Sequence, residues 1–240
     1  MTRAELHFHL LPGVDDGPGT LEESLELARL ALYEGTVTIV ATPHVCDVDV
    51  EELEQRVAEL RDAMATARLA TEVLCGGEVA ASDVPRLSDA QLEIVAQGPL
   101  GRRWVLLEAP HHGSPDEFSA AAQELRARGF GVVVAHPERS APLAHGRADV
   151  LASEIEAGSC LQVNGLAVTG GYGATVKTAA LELLSRDDPV VLSSDAHSRN
   201  RPPCLKDAAY EARRARVDPR RIRAAIDHGP RRLLASGLPA

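Results

Sequence analysis

Aromatic residues are nearly missing from this chain: three Phe, three Tyr and one Trp among 240 residues. That scarcity excludes an aromatic stacking platform for single-stranded nucleic acid. Net charge is −10, from 25 basic and 35 acidic residues, so the whole molecule is not built to bind polyanions. No apolar run approaches the roughly 18 residues needed to span a bilayer. The start, Met-Thr-Arg-Ala-Glu, reads directly into a strand without a signal-peptide core. The expectation is a soluble cytoplasmic protein, with no nucleic-acid partner and no membrane insertion. Paired cysteines are missing too. Cys46, Cys75, Cys160 and Cys204 form no C-x-x-C pair, which argues against a zinc ribbon, a thioredoxin motif or a disulfide framework. Six positions after them stand Glu52, Ala81, Leu166 and Tyr210, so the Cys-x5-Arg loop of cysteine-dependent phosphatases is absent. The four thiols read as small core fillers.

What is present is an ordinary globular composition, 45% apolar and 25% charged, in a chain long enough for a substantial core. Short apolar runs predict strands at Ala4 to His9, Val37 to Thr42, Glu72 to Cys75, Trp104 to Glu108, Gly131 to His136, Cys160 to Asn164 and Val190 to Ser194. Helical patterns fall between them. Thr20 and Glu23 form a capping box for a helix whose predicted apolar face is Leu21, Leu25, Ala28 and Leu32, stopped by Gly35. Ser114-Pro115-Asp116-Glu117 opens a second helix. Glu51 to Leu69, Ala148 to Ala157, Thr175 to Ser185 and Pro203 to Arg216 fill the other helical slots. No repeat, low-complexity tract or linker divides the chain, so residues 1–240 are expected to form one α/β domain. Seven strands interleaved with helices suit a closed or nearly closed barrel first and a doubly wound sheet second. Either places function just past the carboxyl ends of the strands.

Those ends are chemically unusual. The first strand closes on His7-Phe8-His9, whose alternate positions put two imidazoles on one face. The second leads to His44, the third through Gly76-Gly77 to Glu78, the fourth to Glu108 and the fifth to His136. The sixth offers Gln162 and Asn164, and the seventh ends in Asp195-Ala196-His197. Any one such residue is most simply a hydrogen-bonded structural group. Together they place five of the nine histidines and three carboxylates on one face, where unpaired carboxylates repel. Divalent ions relieve that repulsion, and mixed His and carboxylate ligands without cysteine suit Zn, Mn or Fe. The loop after the first strand adds Asp15 and Asp16, and spacing alone does not choose between them.

His-Phe-His-Leu-Leu-Pro-Gly-Val-Asp-Asp-Gly, Ala-Thr-Pro-His, Gly-Gly-Glu-Val, Ala-His-Pro-Glu-Arg, Gln-Val-Asn-Gly and Ser-Asp-Ala-His with Arg-Pro-Pro occur in that order from about residue 5 to residue 205. The pattern resembles the PHP (polymerase and histidinol phosphatase) superfamily, within it the capsular-polysaccharide tyrosine-protein-phosphatase branch. The resemblance implies a distorted seven-stranded β/α barrel carrying three divalent metal ions. It implies that His7, His9, Glu78 and Asp195 hold one ion, and that Glu78, Glu108 and His136 hold a second. Asp16, His44 and His197 would hold the third; the choice of Asp16 comes from this alignment. Arg139 and Arg201 match phosphate-contacting arginines. There are departures: Phe8 inside the H-x-H, acidic Asp47 and Asp49 after His44, Ala109 and His111-His112 in place of a more apolar stretch, and a shortened loop that leaves Arg199 as an alternative to Arg201.

The implied activity is phosphomonoester hydrolysis by a metal-activated hydroxide. The expected substrate is a phosphotyrosine protein, such as a tyrosine kinase tail, in exopolysaccharide control. A PHP phosphatase for a small metabolite, histidinol phosphate or a sugar phosphate, is the rival. An amidohydrolase also begins with H-x-H, but Glu108 sits where its bridging Lys belongs. A non-enzymatic scaffold is disfavoured by the intact ligand set. Residues 199–232 carry a net charge of +7, leaving −17 elsewhere. That segment reads either as a guide for anionic substrate or, more simply, as a solvated helix face.

Overall fold

The β-branched and leucine-rich runs form the strands, and the segments between them wind into helices. The computed structural model describes residues 3–143 and 147–240; Met1 and Thr2 of the start discussed above lie outside them. The strands are β1 (Arg3–Phe8), β2 (Thr36–Ala41), β3 (Glu72–Cys75), β4 (Glu78–Val79), β5 (Trp104–Glu108), β6 (Gly131–Ala135), β7 (Cys160–Asn164) and β8 (Val190–Ser193). All neighbouring pairs run parallel.

Among the described residues the strands number eight, in two sheets of order β1-β2-β3 and β4-β5-β6-β7-β8, where a barrel of seven was expected. The cause lies at Gly76-Gly77. A Cβ on Gly76 would stand 2.5 Å from Val40 Cγ1, and one on Gly77 2.7 Å from Val45 Cγ2. Backbone this close to its neighbours needs glycine, and here it steps from one sheet to the other, so that Glu78 opens a new strand. Isolated bridges between Phe8 and Ala196 and between His44 and Glu78 tie the two sheets together.

The helices are α1 (Leu21–Tyr33), α2 (Leu53–Thr66), α3 (Asp89–Val95), α4 (Pro115–Ala127), α5 (Ala148–Glu156), α6 (Gly165–Thr169), α7 (Ala174–Ser185), α8 (Leu205–Arg214), α9 (Pro219–Arg223) and α10 (Gly229–Ser236). Thr20 and Glu23 make the expected capping box on α1. Its buried face is Ser24, Leu27, Ala28 and Ala31, one register away from the face read above; Leu21 is exposed. Small residues at three of these four positions let the helix axis approach the sheet closely.

Parallel strands are buried on both faces, and two apolar clusters do this here. The larger packs strand residues such as Ile39, Val105 and Val134 against helix residues such as Leu27, Leu60 and Phe118. The smaller gathers Leu6, Val40, Trp104, Leu106, Val133, Ala135, Cys160 and Val191 from strands of both sheets under Leu233 of α10. Trp104 Nε1 donates to the Leu233 carbonyl at 3.2 Å. That end, where the strands begin, also holds much of the basic segment. Arg3 opens β1 and pairs with Asp227, and Arg221 pairs with Asp187 just before β8. The chain from α9 onward therefore lies at the opposite end from the strand carboxyl termini. From α9 onward the segment is therefore not placed to guide substrate and fits the solvated face of the simpler reading, whereas Arg201, near its start, reaches Asp195 and Asp16.

Candidate metal centre

Most metal-ligand candidates sit at or just past a strand's carboxyl end: His7 in β1 with His9 after it, His44 after β2, Glu108 closing β5, His136 after β6, and Asp195 and His197 after β8, while Glu78 opens β4 three residues past the end of β3. Asp16 comes from the loop between β1 and α1. Two of these positions are backbone-strained. His136 and Asp195 have φ of 34° and 52°, left-handed values that cost a non-glycine residue about 1–3 kcal/mol.

The side chains converge. His7 Nε2 lies 3.1 Å from Glu78 Oε2, 3.2 Å from Asp195 Oδ1 and 3.2 Å from His9 Nε2. His9 Nε2 lies 3.2 Å from Glu78 Oε2 and 3.5 Å from Asp195 Oδ1. Four donor atoms about 2.0–2.1 Å from one ion would be separated by roughly 3.3–3.4 Å in a tetrahedron. These five separations match those dimensions, and the ligand atoms of His7, His9 and Asp195 lie within 4.8 Å of one another.

Hydrogen bonds behind the rings support this. Gln162 Oε1 accepts from His7 Nδ1 at 2.8 Å, Asp15 Oδ2 from His9 Nδ1 at 2.6 Å, and the Asp195 carbonyl from His197 Nδ1 at 2.9 Å. With Nδ1 the donor, each neutral ring turns a lone pair, not a proton, toward the carboxylates. Lone pair against carboxylate is repulsive until a cation or a proton intervenes. Asp195 Oδ1 and His136 Nδ1 are buried with no hydrogen-bond partner among the described residues. The donor set therefore fits divalent metal.

A second grouping is His7, Glu78 and His136, with His136 Nε2 2.9 Å from Glu78 Oε1. Glu108 joins Glu78 and His44 in a third. A fourth is His9, Asp16, His44 and His197. There Asp16 Oδ1 stands 3.1 Å from His197 Nε2 and 3.5 Å from His44 Nε2. All nine candidates thus fall into overlapping clusters. Asp15 and Asp16, which spacing left undecided, divide the work: Asp16 is 56% exposed and faces two imidazoles, while Asp15 is buried behind His9. Gln162 and Asn164 gain roles the sequence did not assign. Gln162 orients His7, and Asn164 Nδ2 donates to Asp195 Oδ2 at 2.8 Å.

Both arginines reach the same place. Arg139 and Arg201 donate to Asp195 Oδ2 at 2.8 and 2.9 Å, and Arg201 also reaches Asp16 Oδ2 at 3.2 Å. Arg139 lies over the Tyr172 ring, 4.4 Å from its centroid, a contact that composition did not foretell. Arg199 turns away to Glu26 on the surface.

The titration of the centre reflects its uncompensated negative charge. Burial opposes a charge on His9, but hydrogen bonds to Asp15 and Glu78 and the fields of Glu78 and Asp195 outweigh it, raising its pKa to about 10. His44 rises to about 9, against burial, through Asp16 and Glu78. Burial, then the charge of Glu78, pushes Glu108 up to about 7. Burial, with the charge of Arg139 adding to it, outweighs Glu78 and Asp195 and takes His136 down to about 4. Protons on His9 and His44 stand where cations would otherwise stand.

Comparison with known proteins places the chain in a family. The family model for capsular polysaccharide synthesis, CpsB/CapC, matches residues 3–234, and the chain belongs to that family. Among curated relatives, CapC of Staphylococcus aureus is 28% identical over 209 residues, spanning 84% of this chain and 80% of its own. The tyrosine-protein phosphatase YwqE of Bacillus subtilis (strain 168) is 26% identical over 198 residues, 81% of this chain and 77% of its own. The fold is shared with a chain from crystal structures of YwqE from Bacillus subtilis and CpsB from Streptococcus pneumoniae, described as metal-dependent tyrosine phosphatases. The TM-score is 0.83 at 23% identity, covering 99% of this chain and 97% of that one.

Proposed function

We propose that this protein is a metal-dependent phosphomonoesterase that removes phosphate from protein tyrosine in the control of capsule or exopolysaccharide synthesis. The observation that carries the reading is the quartet of His7, His9, Glu78 and Asp195, spaced at 3.1–3.5 Å, with two arginines on the far oxygen of Asp195. Family membership and relatives named as tyrosine-protein phosphatases support it.

His7, His9, Glu78 and Asp195 would hold one divalent ion, Glu78, Glu108 and His136 a second, and Asp16, His44 and His197 a third. The absence of thiolate from this donor set suits Zn, Mn or Fe. The bound ions would supply Lewis-acid stabilisation and, by lowering the pKa of water, a nucleophile at neutral pH. The remaining work belongs to the chain. Arg139 and Arg201 exchange Asp195 for phosphoryl oxygens, which their planar forks bind in pairs and whose growing charge they offset. Tyr172 holds the plane of Arg139. A tyrosinate leaving group, of pKa about 10, needs little protonation to depart.

The mouth is open enough for a protein substrate. Asp16 is 56% exposed and Arg201 26%, so a phosphotyrosyl side chain on a macromolecule can reach the centre without entering a closed cavity. A phosphotyrosine protein such as a tyrosine kinase tail fits that access. Four free cysteines support a reducing, cytoplasmic place of action, and no described helix is long and apolar enough to cross a membrane. We read the two sheets as arcs of one distorted PHP-type barrel, with residues 1–240 a single domain around it. Elemental analysis of gently purified protein tests the proposal: it should show about two to three metals per chain, and chelation should abolish turnover. Full activity in metal-free protein would contradict it.

A further inference from the structure

His111 belongs to none of the ligand sets above, yet it repeats their design. It sits in the loop between β5 and α4, half-buried, three residues after Glu108. Its Nδ1 lies 3.4 Å from the Arg139 carbonyl, as the Nδ1 of His7, His9 and His197 each meets a protein oxygen. With Nδ1 the donor, Nε2 carries the lone pair, and Nε2 faces Glu108 Oε1 at 3.8 Å. Its ring is parallel to that of His136, at 6° and 5.3 Å between centroids. One ligand atom each from Glu108, His111 and His136 lie within 4.8 Å of one another.

Glu108 needs such a neighbour. Among the described residues, His111 brings the only basic nitrogen within 4.0 Å of its carboxylate. His136 Nδ1 is buried without a hydrogen-bond partner among the described residues. We propose that His111 is a ligand of the second metal position, beside Glu78, Glu108 and His136. The assignment rests on the metallophosphatase reading and adds a donor to it. A second imidazole makes that position richer in nitrogen, so it should favour Zn²⁺ over Mn²⁺ more strongly than Glu78, Glu108 and His136 alone would.

The rival explanation is that His111 only stacks on His136. Phenylalanine keeps a flat ring without a lone pair, so His111→Phe separates the two. Full-length protein stripped with chelator is titrated with Zn²⁺ and with Mn²⁺ against a chromophoric competitor. Wild type, His111→Ala, His111→Phe and His136→Ala are compared, and Co²⁺ absorption spectra are recorded on each. Removing even a group that merely orients a ligand costs about 10- to 100-fold in metal affinity. Both His111 variants should therefore lose at least about tenfold at one site. The loss should be larger for Zn²⁺ than for Mn²⁺, with an altered Co²⁺ spectrum and unchanged melting of the stripped protein. Wild-type binding by His111→Phe, or by both His111 variants while His136→Ala loses a site, overturns this assignment and leaves the phosphatase reading standing. A wild-type chain that takes up no metal overturns both.

Discussion

His7, His9 and His197 each spend one nitrogen on the protein and offer the other to the cavity. Asp15 shows how much depends on the protein side. Its carboxylate accepts from His9 Nδ1 at 2.6 Å, from the Gly17 N–H at 2.9 Å and from the His44 N–H at 3.0 Å, joining two ligand-bearing strands. Asp15→Asn should weaken metal binding about 10- to 100-fold while the chain stays folded, read by competition titration. Nothing in Asp15-Asp16 as a sequence separates the buried orienting acid from the exposed one. That division depends on how the loop turns over His9. The arginines carry a second prediction. Arg139→Ala and Arg201→Ala should each lower kcat/KM by about 10- to 1000-fold with unchanged metal content. Arg199→Ala, removing a group 78% exposed and paired with Glu26, should leave kinetics as they are. Activity lost only in Arg199→Ala would contradict the geometry. The thiols make a third case. Burial first, then Asp47 and Asp83, pushes exposed Cys46 up to about 11, and burial takes Cys75 to about 11 and Cys160 to about 12. Few thiolates exist at neutral pH, so iodoacetamide should leave turnover intact.

Strands were far more legible than helices. Runs such as Val132-Val133-Val134 are β-branched, buried on both faces and bounded by Gly131 and His136-Pro137, so their ends show in the sequence. The motifs at those ends were legible for the same reason. Helices α3, α6, α9 and α10 were not. Helix α6 has five residues and starts because Asn164 caps it, with its side-chain oxygen accepting from the Leu166 and Ala167 N–H groups. Helix α10 earns its place by burying Leu233 beneath strands of both sheets, a long-range contact that local periodicity does not encode. The break between β3 and β4 was also hidden, because Gly76-Gly77 reads equally well as a turn. It makes an element-level prediction. A Cβ at Gly77 would stand 2.7 Å from Val45 Cγ2 and 2.9 Å from Val95 Cγ1, with both sides packed. Gly77→Ala should cost about 1–3 kcal/mol in denaturant unfolding and, by displacing Glu78, lower metal content. An unchanged midpoint and metal content would show that the step between sheets tolerates a side chain.

The whole molecule separates its ends: apolar packing and basic helices where strands begin, imidazoles and carboxylates where they finish. Metal-free protein must carry that second end on protons. His9 and His44 rise from 6.5 to about 10 and about 9, so in the stripped protein both are charged at pH 7. Their contribution to stability is fully present below pH 6.5 and is lost as pH rises through about 9 and 10. Chelator-treated protein should therefore melt at progressively lower temperature from pH 7 to 10, and metal binding should release protons and tighten with pH over the same range. A stripped protein whose melting is flat across that range would contradict the assignment of charge. The central claim is narrower still, that this centre hydrolyses phosphotyrosine on proteins with the help of metal. The direct measurement is kcat/KM of the metal-loaded chain on a phosphotyrosine peptide, beside histidinol phosphate and sugar phosphates, repeated after chelation. The account predicts that the peptide is turned over fastest and that chelation abolishes it. Faster turnover of one small metabolite, or peptide hydrolysis that survives removal of metal, would contradict it.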